Sequence, residues 1–278
     1  LTITISGDSR TPEVTVETPE GSEADIVVDE GSQPEHGGAG HGQNGSGSFI
    51  VDLHGEDGTI TVGGFTIAIE NGVATTSGSA QGVHGVTLSN VQAELVNGKW
   101  TVNYVYELSG RQEHGADGTA TDDSLTGQFD ISVKDATGDT ATGTISVAVH
   151  DDVPVLVADN DSVTEGTEVT ASGNVADNDL SGADGFGHVE WKGLADGSEY
   201  TLVDNKVMLD GQQVGTLTLA ENGNYTFTLE SNYDVPQEGL PDLVLNYRGF
   251  DTDGDSANST LTITISGDSR TPEVTVET

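Results

Sequence analysis

The sequence LTITISGDSRTPEVTVET occurs twice, at Leu1–Thr18 and at Leu261–Thr278. The copies begin at positions 1 and 261, a period of 260 residues, and chance does not produce so long an identity in a chain of 278 residues. A fixed long period is typical of proteins that repeat whole modules, so we expect a slice through a tandem array. The halves LTITIS and PEVTVE alternate apolar and polar residues, as half-buried strands do. The duplicated stretch therefore predicts a strand that closes one module and a strand that opens the next.

Alternating runs of the same kind continue along the rest of the chain. They are rich in Val, Ile, Leu and Thr, and Gly, Asn or Asp interrupts them roughly every ten residues. The clearest runs are Ser48–Leu53, Thr59–Glu70, Trp100–Leu108, Gln128–Val133, Thr142–Val149, Val214–Ala220, Asn224–Glu230 and Leu243–Tyr247. No segment shows a sustained helical period of apolar residues. The pattern predicts an all-β fold of antiparallel β-sandwiches with almost no helix.

Four dipeptides between these runs are typical of tight hairpin turns. They are Asn71-Gly72, Asn97-Gly98, Asp210-Gly211 and Asn222-Gly223. A type I′ turn needs positive φ at both central residues, which Asn, Asp and Gly tolerate best. We therefore expect a type I′ hairpin at each of the four positions.

A weaker internal repeat marks the module ends. Asp135–Pro154 and Asp251–Pro272 share one order: an acidic turn, a strand, an acidic residue and a proline. The sequence Val-x-Glu-Gly follows early in each module, at Val28–Gly31 and Val163–Gly166. We expect whole modules at residues 10–151 and 152–270, with residues 1–9 the last strand of a preceding module and residues 271–278 the first strand of a following one.

The charge balance is strongly acidic, with 47 Asp and Glu against 8 Lys and Arg and a formal net charge of −39. Such a surface repels nucleic acid and anionic membranes, so neither is expected as a partner, and no run of apolar residues is long enough to insert into a membrane. The expected partners are adjacent modules of the same chain. Self-repulsion destabilises a compact state unless cations screen it. Because the chain has no cysteine for disulfides, we expect bound calcium to stabilise it.

The segment Asp251-Thr-Asp253-Gly-Asp255 is the strongest calcium motif. Calcium takes six to eight oxygen ligands, mostly carboxylates and carbonyls on flexible loops. The segment resembles the first half of an EF-hand loop, but Thr262 stands where the twelfth-position Glu would be. It therefore predicts a calcium loop beside a strand, and Asp135 with Asp139 forms its reduced counterpart.

Two further acidic groups are candidate calcium ligands. Ligands from two successive modules around one cation would cross-link the joint between them, and these candidates are Asp151, Asp152, Asp268, Asp8, Glu30 and Glu165. The second group lies early in the second module and contains Asp159, Asp161, Asp177, Asp179 and Asp184. The alternative is that these runs are solvated turns, because Asp and Asn favour turns for their own hydrogen bonding.

Seven histidines raise the question of a transition-metal site, since imidazole binds zinc, copper and nickel. His36, His41 and His114 are one possible set, although their spacing matches no zinc pattern and they lie in predicted loops. One of these is the flexible loop predicted at Glu35–Ser48 (EHGGAGHGQNGSGS). The chain lacks a Gly-x-Ser-x-Gly motif, a Walker loop and a dinucleotide fingerprint, so we expect no enzymatic activity.

Three stretches carry a family resemblance: Asp135–Pro154 (DATGDTATGTISVAVHDDVP), Val28–Gly31 (VDEG) and Val153–Gly185. They resemble repeats of the giant repeats-in-toxin (RTX) and biofilm-associated adhesins that Gram-negative bacteria export by type I secretion. The first module resembles the type I secretion target repeat, and the second is similar to cadherin-like repeats. The resemblance implies tandem Ig-like or cadherin-like sandwiches joined end to end.

The same resemblance implies an extracellular extender that projects distal ligand-binding domains from the cell surface for adhesion and biofilm formation. Several calcium ions would stiffen its joints, and the chain would fold after export. At the second joint Gly267-Asp268 replaces the Asp151-Asp152 pair, which puts the number of cations there in doubt.

A carbohydrate- or surface-binding module is the alternative function. The Gly- and His-rich loop or a platform of aromatic side chains would then contact a glycan. Most of the aromatic residues lie in alternating runs, however, which favours a place in the core.

Overall fold

A computed structural model of the chain describes residues 10–31, 42–114 and 124–268. Every regular element in these ranges is a β-strand, so the predicted all-β fold is confirmed. The described part of the chain contains no helix that could cross a bilayer. The strands predicted at residues 1–9 and 271–278 lie outside the described residues, as do Asp8, His36 and His41.

The described residues form two units, which divide between Asp152 and Val153. The strands described in the first unit are β1 (Glu13–Thr15), β2 (Ile26–Asp29), β3 (Asn44–Asp52), β4 (Gly58–Val62), β5 (Phe65–Glu70), β6 (Val73–Ala74), β7 (Gly78–Val83), β8 (Val86–Val96), β9 (Lys99–Leu108), β10 (Ser124–Asp135) and β11 (Thr140–His150). They form a five-stranded sheet in the order β1-β3-β9-β8-β7 and a six-stranded sheet in the order β2-β11-β10-β4-β5-β6.

The second unit has the same two-sheet plan. Its described strands are β12 (Asp159–Thr164), β13 (Thr170–Asn174), β14 (Phe186–Leu194), β15 (Thr201–Val203), β16 (Lys206–Leu209), β17 (Gln212–Leu219), β18 (Asn224–Leu229), β19 (Leu243–Asp251) and β20 (Ser256–Ser266). They form a four-stranded sheet in the order β12-β20-β19-β14 and a five-stranded sheet in the order β13-β18-β17-β16-β15.

Each unit has its own apolar core between its two sheets. In the first unit Phe49 from one sheet packs in the same buried cluster as Ile131 from the other. In the second unit Phe227 and Ile263 have the corresponding roles. These residues come from alternating positions of their strands, which explains why the period-2 pattern was visible in the sequence.

A closing hairpin and one parallel strand pair organise the edge of each unit. The last two strands pair as hairpins, β10 with β11 and β19 with β20. An early strand then runs parallel to the last strand, β2 along β11 and β12 along β20. The expectation of antiparallel sheets was therefore incomplete, because a parallel pair needs a long connection that local sequence patterns do not reveal.

Three of the four predicted type I′ turns are confirmed. Both residues have positive φ in Asn71-Gly72, in Asn97-Gly98 and in Asp210-Gly211. The prediction for Asn222-Gly223 is wrong, because Gly223 has positive φ and Asn222 does not. There the Gly223 N–H donates to the Ala220 carbonyl at 3.0 Å. Such a turn places only its last residue in the left-handed region.

The prediction of a flexible loop at Glu35–Ser48 is wrong from Asn44 onward, because β3 begins there, and residues 35–41 lie outside the described residues. Gly45 lies opposite Tyr106 and Gly47 opposite Tyr104 in the pairing of β3 with β9. A Cβ atom on either glycine would collide with the facing tyrosine ring. These glycines are therefore part of the sheet, where they leave room for aromatic side chains to lie across the strand.

Gly47→Ala should destabilise the first unit by about 1–3 kcal/mol, because the added methyl group overpacks the site against Tyr104. Gly42→Ala is the matched control, since a Cβ at Gly42 meets no atom closer than 3.5 Å. Urea denaturation can be followed in a Trp191→Phe background, where Trp100 reports on the first unit alone. Equal stability of the two glycine variants would contradict the packing role of Gly47.

Candidate functional site

The loops of the two closing hairpins, residues 135–139 and 251–255, share one backbone conformation. The N–H of Asp135 donates to the carbonyl of Asp139 at 3.1 Å, and the N–H of Asp251 donates to the carbonyl of Asp255 at 3.1 Å. The glycine before the last aspartate has positive φ in both loops, 101° at Gly138 and 114° at Gly254. The sequence comparison of the two loops as counterparts is therefore confirmed. We call the end of each unit that carries this loop its leading end.

At the first leading end, Asp135 organises the loop around its own side chain. Its Oδ1 accepts hydrogen bonds from the backbone N–H groups of Thr137, Gly138 and Asp139 at 2.8–3.0 Å. Burial raises the pKa of Asp135, but hydrogen bonds from Thr137, Asp139 and Gly138 outweigh burial and lower it. Its Oδ2 is buried and has no hydrogen-bond partner among the described residues. One oxygen thus fixes the loop, and the other is available to a cation.

At the second leading end, Asp251 and Asp253 lack donors for most of their carboxylate oxygens. Oδ1 of Asp251 accepts from the N–H of Gly254 at 3.0 Å. Its Oδ2 and both oxygens of Asp253 are buried and have no donor in the described part of the chain. The two carboxyl groups do interact with each other, but two carboxyls can share a hydrogen bond only when one is protonated. Burial first, and Asp253 second, therefore raise the pKa of Asp251.

Two more carboxylates belong to this second leading end. Asp255 is buried. Asp184 is buried as well, and its backbone carbonyl accepts a hydrogen bond from the Thr252 hydroxyl at 2.7 Å. The sequence analysis grouped Asp184 with Asp159; the structure places Asp184 beside the end of β19, because Phe186 at the start of β14 pairs with Asp251. The ligand oxygens of Asp251, Asp253 and Asp255 do not all lie within 4.8 Å of one another.

The opposite end of the first unit, which we call its trailing end, holds buried acids and a histidine. Asp29, Glu30, Asp151 and Asp152 are at most 3% exposed, and His114 is 8% exposed. The N–H of Glu30 donates to the His150 carbonyl at 3.1 Å, which continues the parallel pairing of β2 with β11. Ligand atoms of Glu30, His114 and Asp151 all lie within 4.8 Å of one another. The sequence interpretation had placed His114 with His36 and His41 and missed Glu30 as its neighbour.

The trailing end of the second unit has the same backbone and different side chains. The N–H of Glu165 donates to the Ser266 carbonyl at 3.0 Å, so Glu165 is the counterpart of Glu30. Gly267 then stands in the position of Asp151, and half-buried Asp268 stands in that of Asp152. A Cβ at Gly267 would collide with the Pro236 carbonyl. The second joint predicted from the sequence therefore lacks one carboxylate for a steric reason.

The structure places Asp159, of the group predicted along β12 and after β13, close to Asp177 and Asp179. Asp159 interacts with Asp179 and Asp177, and burial followed by these charges raises its pKa to about 6 although the Tyr247 hydroxyl donates to it at 2.9 Å. Asp161 instead accepts a hydrogen bond from Tyr225 at 2.9 Å. Asp179 accepts from the Val157 N–H at 2.7 Å, so protein donors satisfy part of this group.

Most aromatic side chains of the described residues pack in or against the two cores and are not exposed for stacking on a sugar. Trp100, Tyr104, Tyr200, Tyr225 and Tyr247 are buried in the two cores. The prediction that most aromatic residues belong to the core is confirmed.

No family model matches the chain, and no curated protein matches it. Similar solved structures include the N-terminal eight Ig domains of Down Syndrome Cell Adhesion Molecule, with 12% identity, a TM-score of 0.26, and 95% of this chain and 29% of that chain covered. Protocadherin Gamma B2 cadherin domains 1–5 have 13% identity, a TM-score of 0.30 and coverage of 75% and 36%. Zebrafish RET cadherin-like domains 1 to 4 have 14% identity, a TM-score of 0.30 and coverage of 94% and 52%.

The chain thus spans between 29% and 52% of the length of these three structures. At TM-scores this low, the likeness carries no argument about ancestry or function. The function of the chain therefore has to be inferred from its own carboxylate and imidazole groups.

Without divalent cations, the second unit should lose stability as the pH rises from about 5 to about 8. The pKa of Asp159 is raised from 3.8 to about 6, and that of Asp251 is raised as well, so the folded state favours the protonated forms. The stabilisation is complete below the unfolded pKa and disappears as the pH passes the folded one. Urea denaturation of a Trp100→Phe variant in EDTA measures this, because Trp191 then reports on the second unit alone.

Asp159→Asn should flatten this pH dependence, whereas Asp210→Asn should leave it unchanged. Asp210 lies at a type I′ turn with φ of 51°, a conformation that Asn adopts equally well. A second unit that becomes more stable between these pH values would contradict the raised pKa values.

Proposed function

We propose that the chain is a calcium-binding structural spacer from the repeat region of an extracellular adhesin. The observation that carries this proposal is the set of buried carboxylate oxygens of Asp251 and Asp253 that have no hydrogen-bond donor among the described residues. Buried anions are costly unless a cation or a proton compensates them. The donor set consists of oxygen atoms on a glycine-containing loop, which is the chemistry that calcium prefers.

Both units offer such oxygens at equivalent positions. Asp251 and Asp253 would hold calcium at the second leading end once Asp255 moves within reach of the same ion, and Asp135 with Asp139 would hold it at the first. Calcium supplies positive charge there and replaces the missing donors. Because the loops share one backbone and differ in the number of carboxylates, the second loop should bind calcium more tightly.

The placement of the acids within each unit suits a spacer. The loop 135–139 precedes β11, and Asp151 and Asp152 follow it, so acidic groups lie at both ends of a strand of 11 residues. At about 3.3 Å per residue such a strand spans about 36 Å. The second unit repeats this plan around β20, with the loop 251–255 at one end and Glu165 and Asp268 at the other. Cations shared between successive modules would join such units in series.

The adhesin assignment rests on the sequence. The duplicated Leu1–Thr18 and Leu261–Thr278 segments indicate repetition, and the acidic, cysteine-free composition suits a calcium-rich exterior. The resemblance to RTX and biofilm-associated adhesins supports type I secretion, cell-surface location and a role in projecting distal binding domains. In this proposal the segment has no enzymatic role.

Calcium should stabilise the second unit by about 2.7 kcal/mol when its concentration is about 100 times the dissociation constant of one site. Asp251→Asn should reduce this gain, because it removes a ligand charge. In EDTA the same variant should be at least as stable as the wild type, because it also removes a buried negative charge beside Asp253. Urea denaturation in the Trp100→Phe background measures both effects.

Asp210→Asn is the control for the loss of one negative charge at a distant turn, and it should leave the calcium response unchanged. If Asp251→Asn kept the full calcium stabilisation, or destabilised the calcium-free protein, the loop 251–255 would not be a calcium site.

Calcium should also restrict motion between successive modules. Small-angle X-ray scattering in calcium and then in EDTA measures the maximum dimension of the chain and the breadth of its distance distribution. Removal of calcium should broaden that distribution. An unchanged distribution would contradict the stiffening role while leaving calcium binding itself intact.

A further inference from the structure

The trailing end of the first unit contains a donor set that calcium does not explain. Ligand atoms of Glu30, His114 and Asp151 lie within 4.8 Å of one another, and all three residues are buried. We propose that these residues form a binding site for a divalent transition-metal ion, with Zn²⁺ as its simplest representative. This site goes beyond the calcium role, because it uses an imidazole nitrogen that the leading-end loops lack.

The chemistry of the three donors favours zinc over calcium. Calcium in proteins is bound by oxygen atoms, whereas zinc takes histidine nitrogen together with Asp or Glu oxygen. Two carboxylates and a neutral imidazole balance the charge of one divalent ion. Three protein ligands with a fourth position left for water or another donor are a common zinc arrangement.

The geometry of the His114–Glu30 pair fits this assignment. Nε2 of His114 lies 3.3 Å from Oε1 of Glu30, and the two side chains are each 1% exposed. The two atoms are also within hydrogen-bond distance, although charge-assisted N–H···O bonds are usually shorter, about 2.7–2.9 Å. Tetrahedral zinc with bonds of about 2.0–2.1 Å would place neighbouring ligand atoms about 3.3 Å apart. The pair therefore already has the separation of two zinc ligands.

Surrounding backbone groups hold the glutamate in place. Oε1 of Glu30 accepts a hydrogen bond from the backbone N–H of Gln112 at 2.5 Å. Its own N–H is fixed to the His150 carbonyl. Metal ligands are commonly oriented by such outer hydrogen bonds. Gln112 is two residues before His114, so one short segment positions both the hydrogen-bond donor and the imidazole.

The second unit shows that the fold does not require this donor set. There the N–H of Val235 donates to Oε2 of Glu165 at 3.3 Å, as Gln112 does to Glu30. Two residues after Val235 stands exposed Gln237, where the first unit has buried His114. Gly267 replaces Asp151. The same parallel strand pairing thus forms with the glutamate alone, so the histidine and the aspartate are specific to the first unit.

Isothermal titration of the full chain with Zn²⁺ in excess calcium tests the site. We expect one zinc ion per chain at this site, with calcium in excess failing to displace it. His114→Gln should weaken zinc binding at least about tenfold, because an amide oxygen replaces the imidazole, while the calcium response of the second unit remains. His84→Asn is the matched control: it removes an exposed imidazole of the same unit at a residue with φ of 43°, which Asn tolerates, and it should not change zinc binding.

Failure to bind zinc in the wild type, or equal zinc affinity in His114→Gln and His84→Asn, would overturn the site and leave the calcium role standing. Loss of calcium stabilisation with zinc binding intact would overturn the proposed function and leave this site standing. If His114→Gln does not fold, the visible spectrum of Co²⁺ bound to the wild type decides. Intense bands of four-coordinate cobalt support the site, and the weak spectrum of six-coordinate cobalt overturns it.

Discussion

The structure depends on how carboxylates buried at the ends of a β-sandwich are compensated. With a net charge of −39, the chain cannot supply a lysine or arginine to each of them. Two like charges at about 4 Å repel by about 1 kcal/mol in water and by about 4 kcal/mol at an effective dielectric constant near 20. Asp251 and Asp253 face this cost because, in the part of the chain that the structure describes, no donor reaches three of their four oxygens. Such a pair has to take up a proton or a cation. The raised pKa of Asp251 shows that uptake of a proton is favoured when no cation is present.

One framework creates this situation in both units. A closing hairpin sets an acidic loop before the last strand, and the parallel strand beside it brings a glutamate to the far end of that strand. Because both features are backbone pairings, the positions of Asp135, Asp251, Glu30 and Glu165 are fixed by the fold. The side chains around these positions then determine how much negative charge each end carries and which donor atoms it contains.

Local patterns predicted most of this framework and little of its detail. The period-2 runs predicted strands such as β9 and β19, and the Asp-rich loops were recognised because their aspartates lie within five residues. His114 and Glu30 are 84 positions apart in the sequence, and no local period reports a contact at that distance. The proximity of Asp184 to Thr252 is a contact of the same long-range kind. In Asn44–Ser48 glycine suggested a loop, but the facing tyrosines on β9 supply the side-chain surface that these residues lack.

The difference between the two trailing ends has a steric origin with an electrostatic consequence. At residue 267 any side chain would meet the backbone carbonyls of Val235 and Pro236, so only glycine fits without a backbone shift. The second unit therefore cannot carry the counterpart of Asp151, and the neutral Gln237 stands where the first unit has an imidazole. The trailing end of the second unit therefore carries less negative charge and contains fewer potential metal-ligand atoms than that of the first unit. Two units with one backbone plan thus differ in the carboxylates at their trailing ends, because a Cβ at residue 267 would collide with a backbone carbonyl.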